Sequence, residues 1–176
     1  MYDVASFTAA PVTPPFSVID NFLAAFSTDF DNVPVHVHQI GGVGGPWVGL
    51  TDAPVMMEFD PSTLETKRRL PYANKILPFG SLEVFSTAHP ITRASINGQT
   101  YTYNYILEIQ PFPLPGSTNI AHIIRTDAEM KREVIGSVPL GRGVAPYIHD
   151  FSMTENYIVL CVWPLFTNLG NQYVYF

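Results

Sequence analysis

The stretch GVAPYIHDFSMTENYIVLCVWP (residues 143–164) places a histidine and an aspartate, His149 and Asp150, between two apolar runs. The earlier stretch EVFSTAHPITRASINGQTYTYNYIL (residues 83–107) repeats this pattern around His89, sixty residues upstream. After each histidine, an asparagine seven or eight residues later precedes a run rich in strand-forming residues. A repeat of this length with roughly four strands has the size of one blade of a β-propeller. The sequence therefore predicts that successive blades of one β architecture each carry a histidine.

The composition limits the classes of partner. Charged residues make up 14% of the chain, against about 25% in ordinary globular proteins. Hydrophobic residues make up 47% and aromatic residues 13%, which fits either faces buried against more protein or an apolar ligand. The net charge is −6 and the longest basic cluster is KRR at residues 67–69. We therefore expect no nucleic-acid partner, because phosphate neutralisation requires a basic surface.

The compartment is inferred from the cysteine count and the apolar runs. The chain has one cysteine, Cys161, which excludes an internal disulfide and predicts a small core residue in a cytoplasmic protein. The first residues lack the basic and apolar regions of a signal peptide. No run of about 18 apolar residues is present, so a transmembrane helix is not expected.

Short strands separated by turns account for most of the chain. Asn97-Gly98 followed by alternating Tyr and Thr predicts a hairpin, and DPSTLET (residues 60–66) predicts a turn begun by Asp60. GGVGGP (residues 41–46) is a loop or tight turn, because no helix follows it to make a phosphate site. Residues 16–26 fit either a short helix or a strand. We expect one all-β domain of about three blades whose ring is not closed, as in a fragment of a longer enzyme.

Three side chains are candidates for a metal site, two as ligands and one as an outer hydrogen-bond acceptor. His89 and His149 each end an apolar run, and neutral imidazole binds Fe, Zn or Cu. Asp52 ends the apolar run before it, where a carboxylate could accept the second N–H of a ligating histidine. From spacing alone, hydrogen-bonded structural histidines and a turn aspartate are favoured over a metal site.

The other three histidines are assigned structural places. His36 and His38 lie two residues apart and so share one face of a strand. Such a pair can bind a metal ion, but a polar outward face is favoured, with Val35 and Val37 on the opposite face. His122, in NIAHIIR, is expected to be structural.

Four stretches together resemble the carotenoid cleavage oxygenase family, which includes carotenoid dioxygenases and the retinoid isomerohydrolase of pigment epithelium. GLTDAPVMMEFDPSTLETKRRL (residues 49–70) resembles its strand, acid, strand and "TLET" turn. FSTAHPITRASINGQTYTYNY (residues 85–105) resembles its "AHP" segment. VPLGRGVAPYIHDFSMTENYIVL (residues 138–160) resembles its "HDF" segment, and NVPVHV (residues 32–37) resembles the preceding strand more weakly. The resemblance covers residues 32–164 and leaves residues 1–31 unassigned.

The resemblance implies a fold and an iron site. The family fold is a seven-bladed β-propeller in which four histidines hold one Fe(II) and outer acids, usually glutamates, orient three of them. The "AHP" ligand falls on His89, the "HDF" ligand on His149, and one outer acid on Asp52. Asp52 is one methylene shorter than glutamate, so its bond to a histidine would need a water or a shifted backbone. The third and fourth ligands have no match, because no histidine follows His149 and the remaining three stand elsewhere.

The resemblance also implies an activity. It predicts Fe(II)-dependent cleavage of a carbon–carbon double bond of a carotenoid or apocarotenoid by O2, giving carbonyl products, with no residue in acid–base catalysis. The expected partners are an apolar polyene and O2, with peripheral membrane contact as a further expectation. Isomerisation of retinoid esters and cleavage of stilbene-type substrates also occur in the family. The alternative is a truncated, inactive propeller fragment or interaction module.

Overall fold

The computed structural model describes residues 2–3, 8–9, 35–95, 97–109, 118–141, 145–162, 166–168 and 173–175. All regular secondary structure in these ranges is antiparallel β-strand, so the predicted all-β class is confirmed. The chain divides into two compact units, Met1–Asn32 and Val33–Phe176. In the first unit, β1 (Tyr2–Asp3) pairs with β2 (Thr8–Ala9). The predicted helix or strand at residues 16–26 lies outside the described residues.

The second unit begins with a four-stranded sheet in which each strand pairs with the next one along the chain. Its strands are β3 (His36–Gln39), β4 (Trp47–Leu50), β5 (Met56–Phe59) and β6 (Thr66–Arg69). The last strand, β6, is exposed along its whole length, as the outer strand of a blade would be. We call this the first sheet.

The second sheet is built around one long strand and contains an interrupted one. Its strands are β7 (Leu82–Ser86), β8 (Ile91–Ala94), β9 (Thr100–Ile109), β10 (Asn119–Thr126) and β11 (Arg132–Gly141). Both β7 and β8 pair with β9, the first along its C-terminal half and the second along its N-terminal half. Residues 87–90, which contain His89, therefore interrupt one strand that would otherwise be continuous. We call residues 87–90 the first break.

After the second sheet, a second histidine also lies between two short strands. The strands there are β12 (Ala145–Pro146), β13 (Phe151–Met153), β14 (Ile158–Leu160), β15 (Phe166–Asn168) and β16 (Tyr173–Tyr175). β12 pairs with β15 and β13 pairs with β14. Residues 147–150, which contain His149, separate β12 from β13 and form the second break. Each histidine of the sequence repeat thus lies between two strands, but the strands around the second break pair with different partners, whereas β7 and β8 share β9.

The turns between strands follow the predicted chemistry. Asn97 and Gly98 join β8 to β9, and Gly98 has a φ of 80° that favours glycine. The Asp60 carboxylate accepts backbone N–H bonds from Ser62 and Thr63 at 2.8 and 3.3 Å, which starts the turn from β5 to β6. Gly41, at a φ of 72°, lies so close to Ala128 that a Cβ would meet its backbone nitrogen at 2.3 Å. The 41–46 segment is therefore a tight turn packed against the second sheet.

Two apolar cores hold the second unit together. The first core joins the first sheet to the second: Ile40, Val48, Leu50, Met56, Leu70, Ala88 and Met130. The second core joins the second sheet to the strands that follow it: Tyr105, Leu107, Ile109, Ile123, Ala145 and Ile148. Sheets packed in succession through separate cores, without closure, are consistent with the predicted partial propeller.

Two further findings concern expectations about burial and membrane insertion. Cys161 was expected in a core but is exposed, next to an exposed Val162, so that expectation is wrong. The apolar run around it occupies β14 and its end, where alternate side chains face outward. Within the described ranges, no helix has the length and hydropathy needed to cross a bilayer.

Candidate metal centre

The two breaks bring His89 and His149 into contact. Their ring centroids are 4.9 Å apart and the ring planes are inclined at 68°. The residue before each histidine is completely buried, Ala88 in the first core and Ile148 in the second. Each histidine is therefore anchored to a different core while the two rings meet between them.

Thr87 fixes the backbone of both histidines. Its side-chain oxygen accepts the backbone N–H of His89 at 2.9 Å and donates to the carbonyl of His149 at 2.5 Å. Asn104, on β9, holds Thr87 from both sides, accepting its N–H at 3.2 Å and donating to its carbonyl at 3.0 Å. Thr87 is completely buried and Asn104 nearly so. Because buried polar groups must be paired, this network specifies one relative position for the two breaks.

Tyr105 supports the second break from the core. It is completely buried, and its hydroxyl donates to the carbonyl of Ile148 at 2.6 Å. Burial raises the pKa of the Tyr105 phenol, and the nearby Asp52 raises it further. The phenol is therefore a neutral donor that fixes the residue immediately before His149.

Asp52 lies in the loop between β4 and β5 and contacts both breaks. Its Oδ1 accepts the backbone N–H of Ala88 at 3.0 Å, and its carbonyl accepts the N–H of Ser86 at 3.0 Å. Its Oδ2 is 3.5 Å from Nδ1 of His149, which is too long for a normal hydrogen bond. The shorter acid therefore does not bond the histidine directly.

The hydroxyl of Tyr147 fills that gap. It donates to Oδ2 of Asp52 at 2.6 Å and lies 2.8 Å from Nδ1 of His149. Burial, together with the hydrogen bond to Asp52 and its charge, raises the pKa of Tyr147 to about 12. The sequence predicts a water or a shifted backbone here and does not indicate a role for Tyr147. A tyrosine two residues before a candidate ligand was the available signal.

His36 and His38 extend the line of rings. The His36 centroid is 5.4 Å from that of His89 and 5.7 Å from that of His38. The two histidines share one strand face, as predicted, but the expected outward orientation is wrong. Val35 and Val37 are 58% and 49% exposed, whereas both histidines are partly buried. His36 thus lies beside the candidate site rather than away from it.

His38 belongs to a polar chain that leads away from the site. Its Nε2 is 2.7 Å from the Thr92 hydroxyl, which is 2.7 Å from that of Thr102. Burial, and to a lesser extent the neighbouring His36, lowers the pKa of His38 to about 4. His38 is therefore neutral at physiological pH.

His122 is held apart from these rings by bonds at both nitrogens. Its Nε2 is 2.6 Å from Glu108 and its Nδ1 is 2.8 Å from Ser137. The side chains of His122 and Glu108 are 13% and 4% exposed. This agrees with the structural place expected for His122.

The spacing of His89 and His149 fits a shared metal ion. When two imidazole nitrogens bind one ion at about 2.1 Å and at right or tetrahedral angles, the ring centroids lie roughly 4.5–5.5 Å apart. The observed 4.9 Å falls in this range. Across the described ranges, however, no three His, Cys, Asp or Glu side chains are arranged to hold an ion. The described residues thus offer a pair of candidate ligands.

Comparison with known families identifies a match that covers most of the chain. A family model described as Retinal pigment epithelial membrane protein matches residues 11–175. The match includes both breaks and the Asp52 loop. Members of this family are carotenoid oxygenases and isomerohydrolases and are generally iron-dependent.

Proposed function

The chain belongs to the Retinal pigment epithelial membrane protein family, and we propose that it contributes half of the iron site of a non-haem oxygenase. The proposed reaction is cleavage of a carbon–carbon double bond in a carotenoid or apocarotenoid. One O2 is consumed, each carbon of the double bond receives one oxygen atom, and two carbonyl products leave. His89 and His149 are the proposed ligands to Fe(II).

The observation that carries the proposal is the contact between the rings of His89 and His149. They come from the two breaks, one after β7 and one after β12, and their centroids are 4.9 Å apart. Nδ1 of His149 is engaged by Tyr147, whereas Nε2 has no hydrogen-bond partner among the described residues. One ring nitrogen of His149 therefore remains available for a metal ion.

The residues around the two histidines position the proposed iron ligands and take no part in acid–base catalysis. Thr87 and Asn104 hold the two histidine backbones, and Asp52 with Tyr147 holds the His149 ring. Bound Fe(II) would supply the redox chemistry by which O2 reacts with the double bond. The chain must then bind an apolar polyene in one register and exclude water.

A second candidate function is a catalytically inactive propeller module. The observation in its favour is that no three potential ligands converge anywhere in the described part of the chain. In that case the two histidines would pack against each other as structural residues. The two candidates differ in whether the protein binds iron.

Anaerobic Fe(II) titration of the full natural protein distinguishes them. We expect about one Fe(II) per chain, lost in His89→Ala and in His149→Ala. His122→Gln, which keeps a hydrogen-bonding side chain away from the site, is the matched control and should retain iron. Iron retained by His149→Ala would overturn the assignment, and no binding by the unaltered protein would favour the inactive module.

Product analysis then tests the reaction. With 18O2 and a carotenoid substrate, each of the two carbonyl products should carry one labelled oxygen atom. Solvent exchange is monitored with the isolated products in labelled water. Cleavage that incorporates oxygen from water alone would contradict the proposed reaction.

A further inference from the structure

We propose that Tyr147 is a positioning residue that links Asp52 to His149 and thereby presents Nε2 of His149 to the metal ion. This inference rests on the proposed function for the identity of the metal, but not for the hydrogen-bond relay itself. It assigns to a tyrosine the task that a longer acid would perform directly.

The distances require an intermediary. Asp52 Oδ2 and His149 Nδ1 are 3.5 Å apart, whereas a normal N–H···O bond is about 2.9 Å. The Tyr147 oxygen lies 2.6 Å from the first atom and 2.8 Å from the second. Both of these are normal hydrogen-bond distances, so the two short contacts replace one long contact.

The chemistry of the three groups fixes the direction of each bond. An ionised carboxylate accepts hydrogen bonds and cannot donate them. The single hydroxyl proton of Tyr147 therefore points to Asp52, and its oxygen can only accept from Nδ1–H of His149. The relay selects the Nδ1–H tautomer and leaves the lone pair on Nε2, the form that a metal ligand needs.

Both ends of the relay are held in place. Oδ1 of Asp52 is bonded to the N–H of Ala88, so the carboxylate cannot rotate freely toward His149. The Tyr147 ring packs edge-on against Phe85, with centroids 6.4 Å apart and planes at 83°. The relay also joins the two breaks. Asp52 is bonded to Ala88, the residue before His89 in the first break, and to Tyr147, which lies two residues before His149 in the second break.

The competing explanation is that Tyr147 only fills space against Phe85. A variant that lacks the Tyr147 hydroxyl but keeps the ring distinguishes the relay from simple packing. Tyr147→Phe preserves the edge-on packing but removes both hydrogen bonds. Tyr101→Phe is the matched control, since the Tyr101 hydroxyl donates to Gln99 on the surface at 2.8 Å.

Asp52→Glu provides a compensating change. The shortfall between 3.5 Å and a normal bond is less than one C–C bond length. A glutamate at position 52 should therefore reach Nδ1 of His149 directly. In the double variant Asp52→Glu/Tyr147→Phe, we expect the acid–histidine contact to be restored without the tyrosine.

The first measurement is the tautomer of His149 in the metal-free full chain, read from the 15N shifts of histidine-labelled protein. We expect Nδ1–H in the unaltered chain and in Tyr101→Phe, a shift toward Nε2–H in Tyr147→Phe, and recovery in the double variant. A His149 tautomer that is unchanged by Tyr147→Phe would overturn the relay.

The second measurement is Fe(II) affinity under anaerobic conditions. Loss of an outer hydrogen-bond partner typically weakens metal binding about 10–100-fold, so Tyr147→Phe should lose this factor and the double variant should regain most of it. Affinity unaffected by Tyr147→Phe would overturn the positioning role. If the tautomer responds as expected but the unaltered protein binds no iron, the relay stands and the proposed function fails.

Discussion

Two histidines in this fold are each coupled to a carboxylate, yet the couplings differ in kind. His122 has both ring nitrogens bonded, to Glu108 and Ser137, and its side chain is 13% exposed. His149 has Nδ1 bonded to Tyr147, and its side chain is 51% exposed beside the ring of His89. A largely covered imidazole with both nitrogens bonded serves packing, whereas an imidazole bonded at one nitrogen can bind a metal ion with the other. The comparison separates a structural histidine from a candidate metal ligand.

The largest difference between the two sites should appear in stability. His122→Ala would leave the Glu108 carboxylate buried with only part of its hydrogen bonds, Ser81 among the donors that remain. We expect the free energy of unfolding to fall by about 3 kcal/mol, because a buried carboxylate loses a hydrogen-bond donor. His149→Ala, at a half-exposed position, should cost under about 1 kcal/mol. Urea titration of both variants measures the difference, and equal losses would remove the distinction.

Thr87→Val tests whether the Thr87 hydroxyl holds the backbone of the two candidate metal ligands in place. The substitution preserves the shape but removes the bonds to the His89 N–H and the His149 carbonyl. We expect a loss of about 1–3 kcal/mol, because buried polar groups lose their partner, together with weaker Fe(II) binding.

Thr87→Ser, which keeps the hydroxyl, is the control. It should retain most of the iron affinity, although removing a buried methyl group costs some stability. Fe(II) titration and urea unfolding of the pair give both quantities. Normal iron binding by Thr87→Val would show that the shared hydroxyl does not position the histidines.

The smallest expected effect concerns pH and the neighbouring His38. Its pKa is about 4 in the fold because of burial and His36, against 6.5 when exposed. As the pH falls, His38 takes up a proton in the unfolded chain before it does so in the folded chain. The stability that comes from the neutral, partly buried His38 is therefore complete above about pH 6.5 and is lost as the pH falls toward 4.

His38→Gln should remove that part of the pH dependence. We expect the unaltered chain to lose more stability than His38→Gln between pH 7 and pH 5, as measured by urea unfolding at both values. The size of the difference is reduced by the partial exposure of His38. Parallel pH profiles for the two proteins would contradict the lowered pKa.

Local sequence patterns predicted the strands and turns well because their causes are local. Asn97-Gly98 and Asp60 form the expected turns, since glycine and aspartate act on neighbouring backbone. The repeat around His89 and His149 predicted equivalent places in consecutive units. In the structure each histidine lies in a break between two strands, but only the strands around the first break pair with the same neighbour.

Contacts between distant side chains were beyond the reach of these patterns. Tyr147 meets Asp52 across 95 residues, and nothing in either neighbourhood specifies that distance. The alternation at residues 35–38 shows that His36 and His38 share a face, but it does not say which face is buried. Here the valines face outward because the histidine face lies against the first break and β8.

The most direct test of the central claim is the position of iron in crystals of the full protein, grown with Fe(II) in the absence of oxygen. We predict an iron anomalous peak about 2.1 Å from Nε2 of His149 and from one ring nitrogen of His89, with none beside His122. An iron peak that lacks either of these two histidines, or crystals from iron-loaded protein with the two rings directed to different points, would contradict the shared metal centre.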